Sequence, residues 1–330
     1  MLSCYNMNKL LKVGVLMGGP SSEHDISLMT GQNIIENLDK SKYEPVAIKI
    51  SKEGQWFLNN RLSSDVKALQ GCDLVFNALH GVFGEDGTIQ AIMDYRGVKY
   101  TGSGVCASAL GMDKLRSREI FKLSGLNVPK TLKIRRGEYH QALLNLFVGK
   151  VTNFPVVVKP CSGGSSVGVK IVKERVMLDK ALKDVFKTDR KALIEEFIEG
   201  RELTCGVLEN VNGQSIKALP VTEIIPKKGH VFFDYSAKYK TGHSDEVTPA
   251  SIDDDTTKAI QDIAIKTHQV LGCGGYSRTD VILKNNGDIV VLEINTLPGL
   301  TMASLLPKAA IASGLTFTEL LDTIISSSLV

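Results

Sequence analysis

Residues 278–301 constrain the fold of this chain more than any other stretch, and their sequence is RTDVILKNNGDIVVLEINTLPGLT. Two segments rich in β-branched residues flank the tripeptide Asn-Asn-Gly at 285–287. Such segments favour strands, and glycine after asparagine favours a tight turn. The stretch therefore predicts two antiparallel strands joined by a hairpin turn, followed by a loop that contains proline and glycine.

The register of this hairpin decides which side chains share a face of the sheet, because side chains alternate between faces along a strand. Pairing of Leu283 with Asp288 places Arg278 opposite Glu293, and a two-residue turn at 286–287 keeps the same faces. A three-residue loop would move the side chains of one strand to the other face. The favoured registers gather four polar side chains on one face: Arg278, Asp280, Glu293 and Asn295.

Two of these side chains are carboxylates, which repel each other at close range unless a positive group lies between them. Mg²⁺ takes oxygen ligands and is commonly held by one or two carboxylates together with phosphates. A loop at a strand end, such as residues 296–301 here, is a frequent place for ligand binding. We therefore expect Asp280, Glu293 and Asn295 to bind a metal ion. The alternative is a solvated polar face with a surface salt bridge.

Length and charge limit the classes of protein to consider. The chain has 330 residues, above the ~250–300 at which single cores stop growing, so two or three domains are expected. Its net charge is +3 with dispersed Lys and Arg, which gives no reason to expect nucleic acid. No apolar stretch approaches the ~20 residues that cross a bilayer, and the amino terminus lacks a signal-peptide apolar region. The cysteines are scattered, so in a cytoplasmic protein we expect buried thiols rather than disulfides or zinc ligands.

The first part of the chain has the pattern of a doubly wound α/β domain, which we assign to residues 1–104. An apolar strand at 11–17 runs into a glycine turn and a helix, and a later strand at 73–79 does the same. Glu23 follows the first strand, where it could bind a ligand or simply stabilise the first turn of a helix. His80 follows the later strand, at the end where open α/β sheets bind ligands, although a lone histidine is more often structural.

A glycine-rich loop forms the second strong feature. An apolar strand ends at Lys159, and the loop at 162–168, Ser-Gly-Gly-Ser-Ser-Val-Gly, offers backbone N–H groups and hydroxyls. Such loops can hold phosphates, and a nearby lysine supplies compensating charge. The alternative is a plain hairpin turn, since a strand-like segment follows.

The remaining candidates lie on both sides of this loop. Lys114 stands in a helical stretch, where it could reach a ligand or only solvent. Glu195 and Glu196 lie near the end of a strand at 192–198, where a carboxylate could accept hydrogen bonds from a ribose or form a solvated rim. The long polar segment at 227–248 contains four aromatic residues, which predicts a lid that packs onto something when ordered.

An ordered set of motifs extends over nearly the whole chain, and together they resemble the bacterial D-alanine–D-alanine ligases of the ATP-grasp superfamily. The motifs are GGPSSEHDIS, ALHGVFGEDG, YTGSG, MDK, VVKPCSGGSSVG, FDYSAKY, SRTD and LEINTLPGLT. The resemblance implies the 1–104 α/β domain with a doubly wound parallel sheet. It also implies an ATP-grasp pair of α+β domains with antiparallel sheets at 105–193 and 194–330.

The family's reaction follows from the same resemblance. ATP would phosphorylate the carboxylate of one D-alanine, and the amine of a second D-alanine would attack the acyl phosphate. The expected cofactors are ATP and a pair of Mg²⁺ ions, with Mn²⁺ as a substitute and a monovalent cation as an addition. We also expect a homodimer that acts on D-alanine as a small-molecule substrate, without nucleic acid or membrane.

The resemblance also implies roles for individual residues. The metal ligands are Asp280, Glu293 and Asn295. The nucleotide-binding residues are Lys114, Lys159, Ser166, Glu195, Glu196, Ile198, Glu202 and Lys238. The catalytic residues are Glu23, Ser165, Arg278, Tyr239, His80 and the backbone N–H of Gly299. The substrate-binding residues are Glu23, His80, Ser304 and Leu305. Relatives that accept D-lactate often have phenylalanine where Tyr239 stands, so tyrosine favours D-alanine as second substrate.

Two other functions fit parts of the pattern. A different ATP-grasp ligase, joining D-alanine to D-lactate, D-serine or another acid, would keep the nucleotide residues and differ around Glu23, Tyr239 and Ser304. A regulatory nucleotide-binding module would have lost the predicted metal ligands or Arg278, and this sequence keeps both. A Rossmann dehydrogenase is disfavoured because the G-x-G-x-x-G fingerprint is missing.

Overall fold

The structure is a computed structural model that describes residues 10–138, 141–162, 168–211, 214–227 and 244–329. Within these residues the strands form three separate sheets. The predicted fold class is confirmed, since an α/β unit with parallel strands precedes two antiparallel sheets. The five described cysteines are free thiols, and three of them are buried, but the expectation of burial is wrong for Cys106, which is exposed.

The first sheet has the strand order β4-β3-β2-β1-β5. Its strands are β1 (Leu11–Gly18), β2 (Tyr43–Ile50), β3 (Trp56–Leu58), β4 (Arg61–Ser63) and β5 (Leu74–Asn77), and its helices are α1 (His24–Asn37), α2 (Asp65–Leu69) and α3 (Thr88–Tyr95). Strand β1 pairs in parallel with both β2 and β5, as a doubly wound unit requires. Strands β3 and β4 add an antiparallel edge that the sequence did not predict.

The second sheet has the strand order β6-β9-β7-β8 and is antiparallel. Its strands are β6 (Thr131–Arg135), β7 (Val156–Pro160), β8 (Lys170–Val172) and β9 (Lys191–Glu196). The helices of this region are α4 (Val105–Met112), α5 (Lys114–Leu123), α6 (Gln141–Leu146) and α7 (Leu178–Val185). Helix α7 buries its apolar face against the sheet, which leaves the opposite sheet face available for a cleft.

The third sheet has the strand order β13-β12-β10-β14-β15, with β11 paired to β10. Its strands are β10 (Arg201–Val211), β11 (Gln214–Ala218), β12 (Thr222–Pro226), β13 (Ser244–Val247), β14 (Tyr276–Leu283) and β15 (Ile289–Asn295). The helices are α8 (Asp254–Leu271), α9 (Leu305–Ala312) and α10 (Phe317–Ser327). Helix α8 begins after the capping carboxylate of Asp253 and ends at Gly272, which has a positive φ of 71°.

Helices α9 and α10 join the first sheet to the third. Their apolar residues share one core with Val15 and Phe76 of the first sheet and with Tyr276 of the third. In the described part of the chain, no single helix is long and apolar enough to cross a membrane. Taken together, α9 and α10 have sufficient length and apolar character, but they are bent by 105° relative to each other. Because the core is shared, the loop at 296–304 is held against helix α1.

The hairpin of β14 and β15 turns through three residues, 285–287. The backbone N–H of Lys284 donates to the Asp288 carbonyl (2.9 Å), which closes the loop, and Leu283 pairs with Ile289. The predicted pairing of Leu283 with Asp288 is therefore wrong. If this register continued along the hairpin, Asp280 and Glu293 would lie on opposite faces of the sheet.

A β-bulge returns Glu293 to the face of the sheet on which Asp280 lies. The register shifts between Asp280 and Val281, so that Leu292 becomes an extra residue on β15. Asp280 then lies opposite Glu293, and Arg278 lies opposite Asn295. The predicted pairing of Arg278 with Glu293 is wrong, whereas the predicted grouping of the four polar side chains on one face is confirmed.

Candidate active site

A cleft separates the second sheet from the third, with an empty volume of about 840 Å³ that includes its open mouth. This is in the range of small-molecule sites. Apolar side chains form much of its walls, among them Val157, Ile171 and Ile282. Eight residues that the sequence assigned to nucleotide or metal binding line it: Lys114, Lys159, Glu195, Glu196, Ile198, Glu202, Asp280 and Glu293.

A buried ion cluster lies at the base of this cleft. The Glu195 carboxylate is 2 % exposed and accepts from Lys159 Nζ (2.8 Å) and from the Arg118 guanidinium. Arg118 also donates through Nε to the carbonyl of the bulge residue Leu292 (2.8 Å). Arg118 thus links β9 of the second sheet to β15 of the third. The cluster has two cations and one carboxylate, so it attracts an anion.

Sequence reasoning missed Arg118. The available signal was its spacing, because Arg118 follows Lys114 by four residues in α5. Residues four apart lie on the same face of a helix, so both side chains point in the same general direction. The spacing alone does not show that the strand end at Glu195 lies on that side.

Burial and neighbouring charge set the ionisation of this cluster. Burial, together with the nearby Arg118 charge, lowers the pKa of Lys159 to about 8, against the opposing effect of Glu195 and Glu293. Burial alone would raise the pKa of Glu195, but Arg118 and Lys159 outweigh it and hold that pKa below its ordinary value. The carboxylate is therefore charged at neutral pH, and Lys159 becomes neutral at a lower pH than an exposed lysine.

The polar face of the hairpin forms the other wall. Arg278 donates to both Asp280 oxygens (2.9 and 3.0 Å), and the Thr204 hydroxyl donates to Oδ1 (2.6 Å). Lys114 Nζ lies 3.4 Å from Glu293 Oε2. Thr204 was a further residue that the sequence analysis missed, and it lies directly opposite Asp280 on β10.

This face has the ligand chemistry of a magnesium site. Asp280 and Glu293 lie opposite each other, and Asn295 shares their face and accepts from Leu297 N–H through Oδ1 (2.8 Å). In the part of the chain that the structure describes, no group of three or more His, Cys, Asp or Glu is placed to hold a metal. The residues fit Mg²⁺ because this ion often takes only one or two carboxylates and completes its shell with phosphates and water.

A second polar group lies where the first sheet meets the loop at 296–304. Glu23 is the N-cap residue of α1 and is 6 % exposed. A Cβ on Gly81 would lie 2.8 Å from Glu23 Oε2, so the two residues are close neighbours, and the positive φ of 69° at Gly81 favours glycine. The Ser21 hydroxyl donates to the His80 carbonyl (2.7 Å), which holds the loop after β5 beside the start of α1.

Both nitrogens of the His80 ring lie near polar side chains. Nε2 is 2.9 Å from the Thr30 hydroxyl, and Nδ1 is 3.5 Å from Glu85 Oε1. Glu85 Oε1 also accepts from the Gly81 N–H (2.9 Å). Thr30 was not predicted, because nothing local in the sequence relates α1 to this loop, and Glu85 was not singled out although it lies in the same loop as His80. Together they fix the orientation of the imidazole.

Gly299 and Ser304 complete this group. A Cβ on Gly299 would lie 3.0 Å from Ser304 Oγ and 3.7 Å from His80 Cε1, so the three residues are neighbours. Ser304 is the N-cap of α9, and Leu305 is its first residue. The structure therefore brings together the predicted residues Glu23, His80, Gly299 and Ser304, which lie far apart in the sequence. The predicted residues Ser165, Ser166, Lys238 and Tyr239 lie outside the described residues.

An α/β domain followed by two antiparallel sheets that enclose a cleft lined by lysines and carboxylates defines an ATP-grasp ligase. Comparisons with known proteins agree with this class. A family model described as D-ala D-ala ligase C-terminus matches residues 120–326, and one described as D-ala D-ala ligase N-terminus matches residues 12–71 and 61–103. The chain belongs to the D-alanine–D-alanine ligase family.

Individual relatives are similar over almost their full lengths. The D-alanine–D-alanine ligase of Clostridium beijerinckii is 40 % identical, with 97 % of this chain and 99 % of that protein covered. The corresponding ligase of Syntrophobacter fumaroxidans is 41 % identical, with 97 % and 98 % covered.

Solved structures are similar over the same share of the chain. The VanG D-Ala:D-Ser ligase of Enterococcus faecalis has a TM-score of 0.84 at 32 % identity, covering 97 % of this chain and all of that one. The D-alanine–D-alanine ligase of Bacillus anthracis complexed with ATP has a TM-score of 0.78 at 33 % identity, covering 97 % of both chains.

Replacing Arg118 by methionine should destabilise the protein by about 3 kcal/mol, because the Glu195 carboxylate loses one of two buried cations. Arg116 offers a matched control, since it pairs with Glu119 on the exposed side of the same helix. Arg116→Met should change stability by less than about 0.5 kcal/mol. Urea denaturation of both variants measures the difference, and equal stabilities would contradict the structural role of the buried cluster.

Proposed function

We propose that this chain joins two D-alanine molecules into D-alanyl-D-alanine for peptidoglycan synthesis, with ATP as the energy source. The observation that carries the proposal is the position of the β14–β15 hairpin. Its polar face borders the cation-lined cleft, and the loop that follows it reaches the group around Glu23 and His80. A phosphate donor and a small amino acid could thus meet along one continuous segment.

The nucleotide would occupy the cleft between the two antiparallel sheets. Lys114 and Lys159 are the cations that would contact its phosphates, with Ser166 and Lys238 as further expected contacts. Glu196 and Ile198 would border the adenine, and Glu202 would accept hydrogen bonds from the ribose. Glu195 would act through Lys159 instead of touching the nucleotide, since its oxygens are already paired with cations.

Asp280, Glu293 and Asn295 would hold Mg²⁺, and Mn²⁺ would suit the same oxygen ligands. The ion, when bound, would neutralise charge on the phosphates of ATP. Arg278 already binds Asp280 and lies beside this position, so its guanidinium can interact with a developing negative charge at the same wall. A monovalent cation could assist, although no described group points to one.

Two displacements complete the reaction, and each forms one bond and breaks another. A carboxylate oxygen of the first D-alanine attacks the γ-phosphorus of ATP, and ADP leaves. The second D-alanine, once its ammonium has lost a proton to solvent, attacks the carbonyl carbon of the acyl phosphate through its neutral amine. The C–O bond to phosphate then breaks as the peptide bond forms, and the departing phosphate or solvent takes up the second nitrogen proton. Arg278 and the Gly299 N–H would stabilise the oxyanion of the tetrahedral intermediate.

The amino acids would bind at the second polar group. Glu23 would pair with the ammonium of the first D-alanine, and His80 would lie near the acyl phosphate. The Ser304 hydroxyl and the Leu305 N–H would bind the carboxylate of the second D-alanine, because a helix N-terminus favours anions. Ser165 and Tyr239 would complete the site from the glycine-rich loop and the lid. A homodimer in the cytoplasm is proposed from the family resemblance, and light scattering would test the dimer.

A second candidate is a ligase that joins D-alanine to D-serine, which the similarity to VanG favours. Phosphate release from MgATP separates the two functions when D-alanine, L-alanine, D-serine and D-lactate are offered singly and in pairs. D-alanine alone should give the highest rate and a product of two alanines. A higher rate for the D-alanine and D-serine pair would favour the second candidate, and no release with D-alanine alone or in any pair would exclude both.

Raising the pH through about 8 should weaken ATP binding, because the free protein loses the Lys159 charge there. The lowered pKa means that the charged form prevails below that pH and is lost above it. At one pH unit above the pKa, the dissociation constant should be about tenfold larger. Lys159→Arg should remove this dependence, since guanidinium stays charged. Calorimetric titration from pH 6.5 to 9.5 measures the dissociation constant of ATP. The same pH dependence in the arginine variant would contradict the assignment of Lys159 as a phosphate contact.

Glu293→Gln should lower dipeptide formation by at least about 100-fold, because a charged metal ligand is lost. Asp288→Asn is the matched control, since it removes an exposed carboxylate from the same hairpin. The control should keep full activity. Phosphate release and melting temperature are measured for both variants. Normal phosphate release by the glutamine variant would refute the metal site, and a large fall in melting temperature would assign Glu293 a structural role.

A further inference from the structure

The peptide group between Leu300 and Thr301 is held from both sides. Asn33 of helix α1 donates through Nδ2 to the Leu300 carbonyl (2.8 Å), although the two residues are 267 positions apart. The N–H of the same peptide group, on Thr301, donates to Ser304 Oγ (3.2 Å). A peptide group is planar. Any rotation that Asn33 prevents at the carbonyl is therefore also prevented at the N–H that contacts Ser304.

The side chain of Asn33 is itself oriented by its neighbours. Asn37 Nδ2 donates to Asn33 Oδ1 (3.2 Å) and to the Asn33 carbonyl (2.8 Å). The Thr318 hydroxyl donates to the Asn37 carbonyl (3.0 Å), which ties this chain of polar groups to α10. Because Asn33 Oδ1 accepts from Asn37, the NH₂ group is the one that faces Leu300. Asn33 is half-buried, and Leu300 is 1 % exposed, so their hydrogen bond is shielded from water.

We propose that Asn33 is a positioning residue for the second substrate. It acts through the Leu300–Thr301 peptide group on the Ser304 hydroxyl, which binds the carboxylate of that substrate. The inference deepens the proposed function and rests on it. Ser304 Oγ accepts from the Thr301 N–H and lies 2.8 Å from Thr301 Oγ1. When the Thr301 hydroxyl donates in this contact, the Ser304 hydroxyl keeps its own proton for another acceptor such as a carboxylate.

One rigid helix would then set both amino-acid positions. Glu23 occupies the N-cap position of α1 and would bind the first ammonium, and Thr30 of the same helix holds the His80 ring. Asn33 follows Glu23 by ten residues, which corresponds to about 15 Å along a helix. Because a helix does not stretch, fixing Leu300 against Asn33 fixes the second carboxylate site relative to the first ammonium site. This distance matters for a reaction in which two amino acids must meet.

The test compares Asn33→Asp and Asn33→Ala with Gln32→Ala. Aspartate keeps the size of asparagine but presents only acceptors to the Leu300 carbonyl, and alanine removes the contact. Gln32 is the exposed neighbour on the same helix and serves as the control. Steady-state kinetics give separate KM values for ATP and for each D-alanine, and melting temperatures report stability.

The KM of the second D-alanine should rise about tenfold in Asn33→Asp, since one hydrogen bond is replaced by repulsion. The KM of ATP should stay within about twofold of its value in the unmodified protein, and all KM values of Gln32→Ala should do the same. Asn33→Ala should show a smaller rise in the same KM. Equal increases in every KM together with a lower melting temperature would overturn the proposal, because they indicate a merely structural role.

Ser304→Ala separates this proposal from the function on which it rests. If Ser304→Ala raises the KM of the second D-alanine and Asn33→Asp does not, the positioning role of Asn33 is overturned while the ligase function stands. If Ser304→Ala leaves that KM unchanged, the substrate contact of Ser304 is wrong and the Asn33 proposal is overturned with it. If the unmodified protein releases no phosphate with D-alanine, the proposed function itself has failed.

Discussion

Charge pairing inside one cleft is the constraint on which the rest of the structure depends. Carboxylates from two different sheets are buried or half-buried at this place, and each is matched to a cation. Desolvation of an unpaired carboxylate would cost several kcal/mol, so the cations fix where the two sheets can lie relative to each other. The pairs are Asp280 with Arg278, Glu293 with Lys114, and Glu195 with Arg118 and Lys159.

The bulge in β15 connects this charge pairing to the backbone. The three-residue loop at 285–287 would put Glu293 on the wrong face, and the extra residue Leu292 returns it to the face of Asp280. The carbonyl of Leu292 accepts from Arg118, which belongs to the buried cluster. The irregularity in the strand and the ion cluster therefore support each other, and both are needed to place the carboxylates on one wall.

Much of the site was visible in the sequence because its signals are local. Lys159 ends an apolar strand, and Glu195 ends another, so each could be assigned to a strand end without knowledge of the fold. The residues that sequence analysis missed act across the fold. Arg118, Thr204 and Thr30 each contact a site residue that is 50 to 77 positions away along the chain. Thr204 and Asp280 also lie opposite each other on paired strands. No local pattern encodes such partners.

The sequence by itself determined the elements and their polar faces, because alternation and turn residues act within a few positions along the chain. It determined that β14 and β15 form a hairpin that carries acidic and amide side chains. Only the tertiary structure decided which residues oppose each other, since a bulge can shift a register without a marked change in composition. It also decided that Glu23, His80 and Ser304 meet, because the shared core of α9, α10 and the first sheet brings these distant segments together.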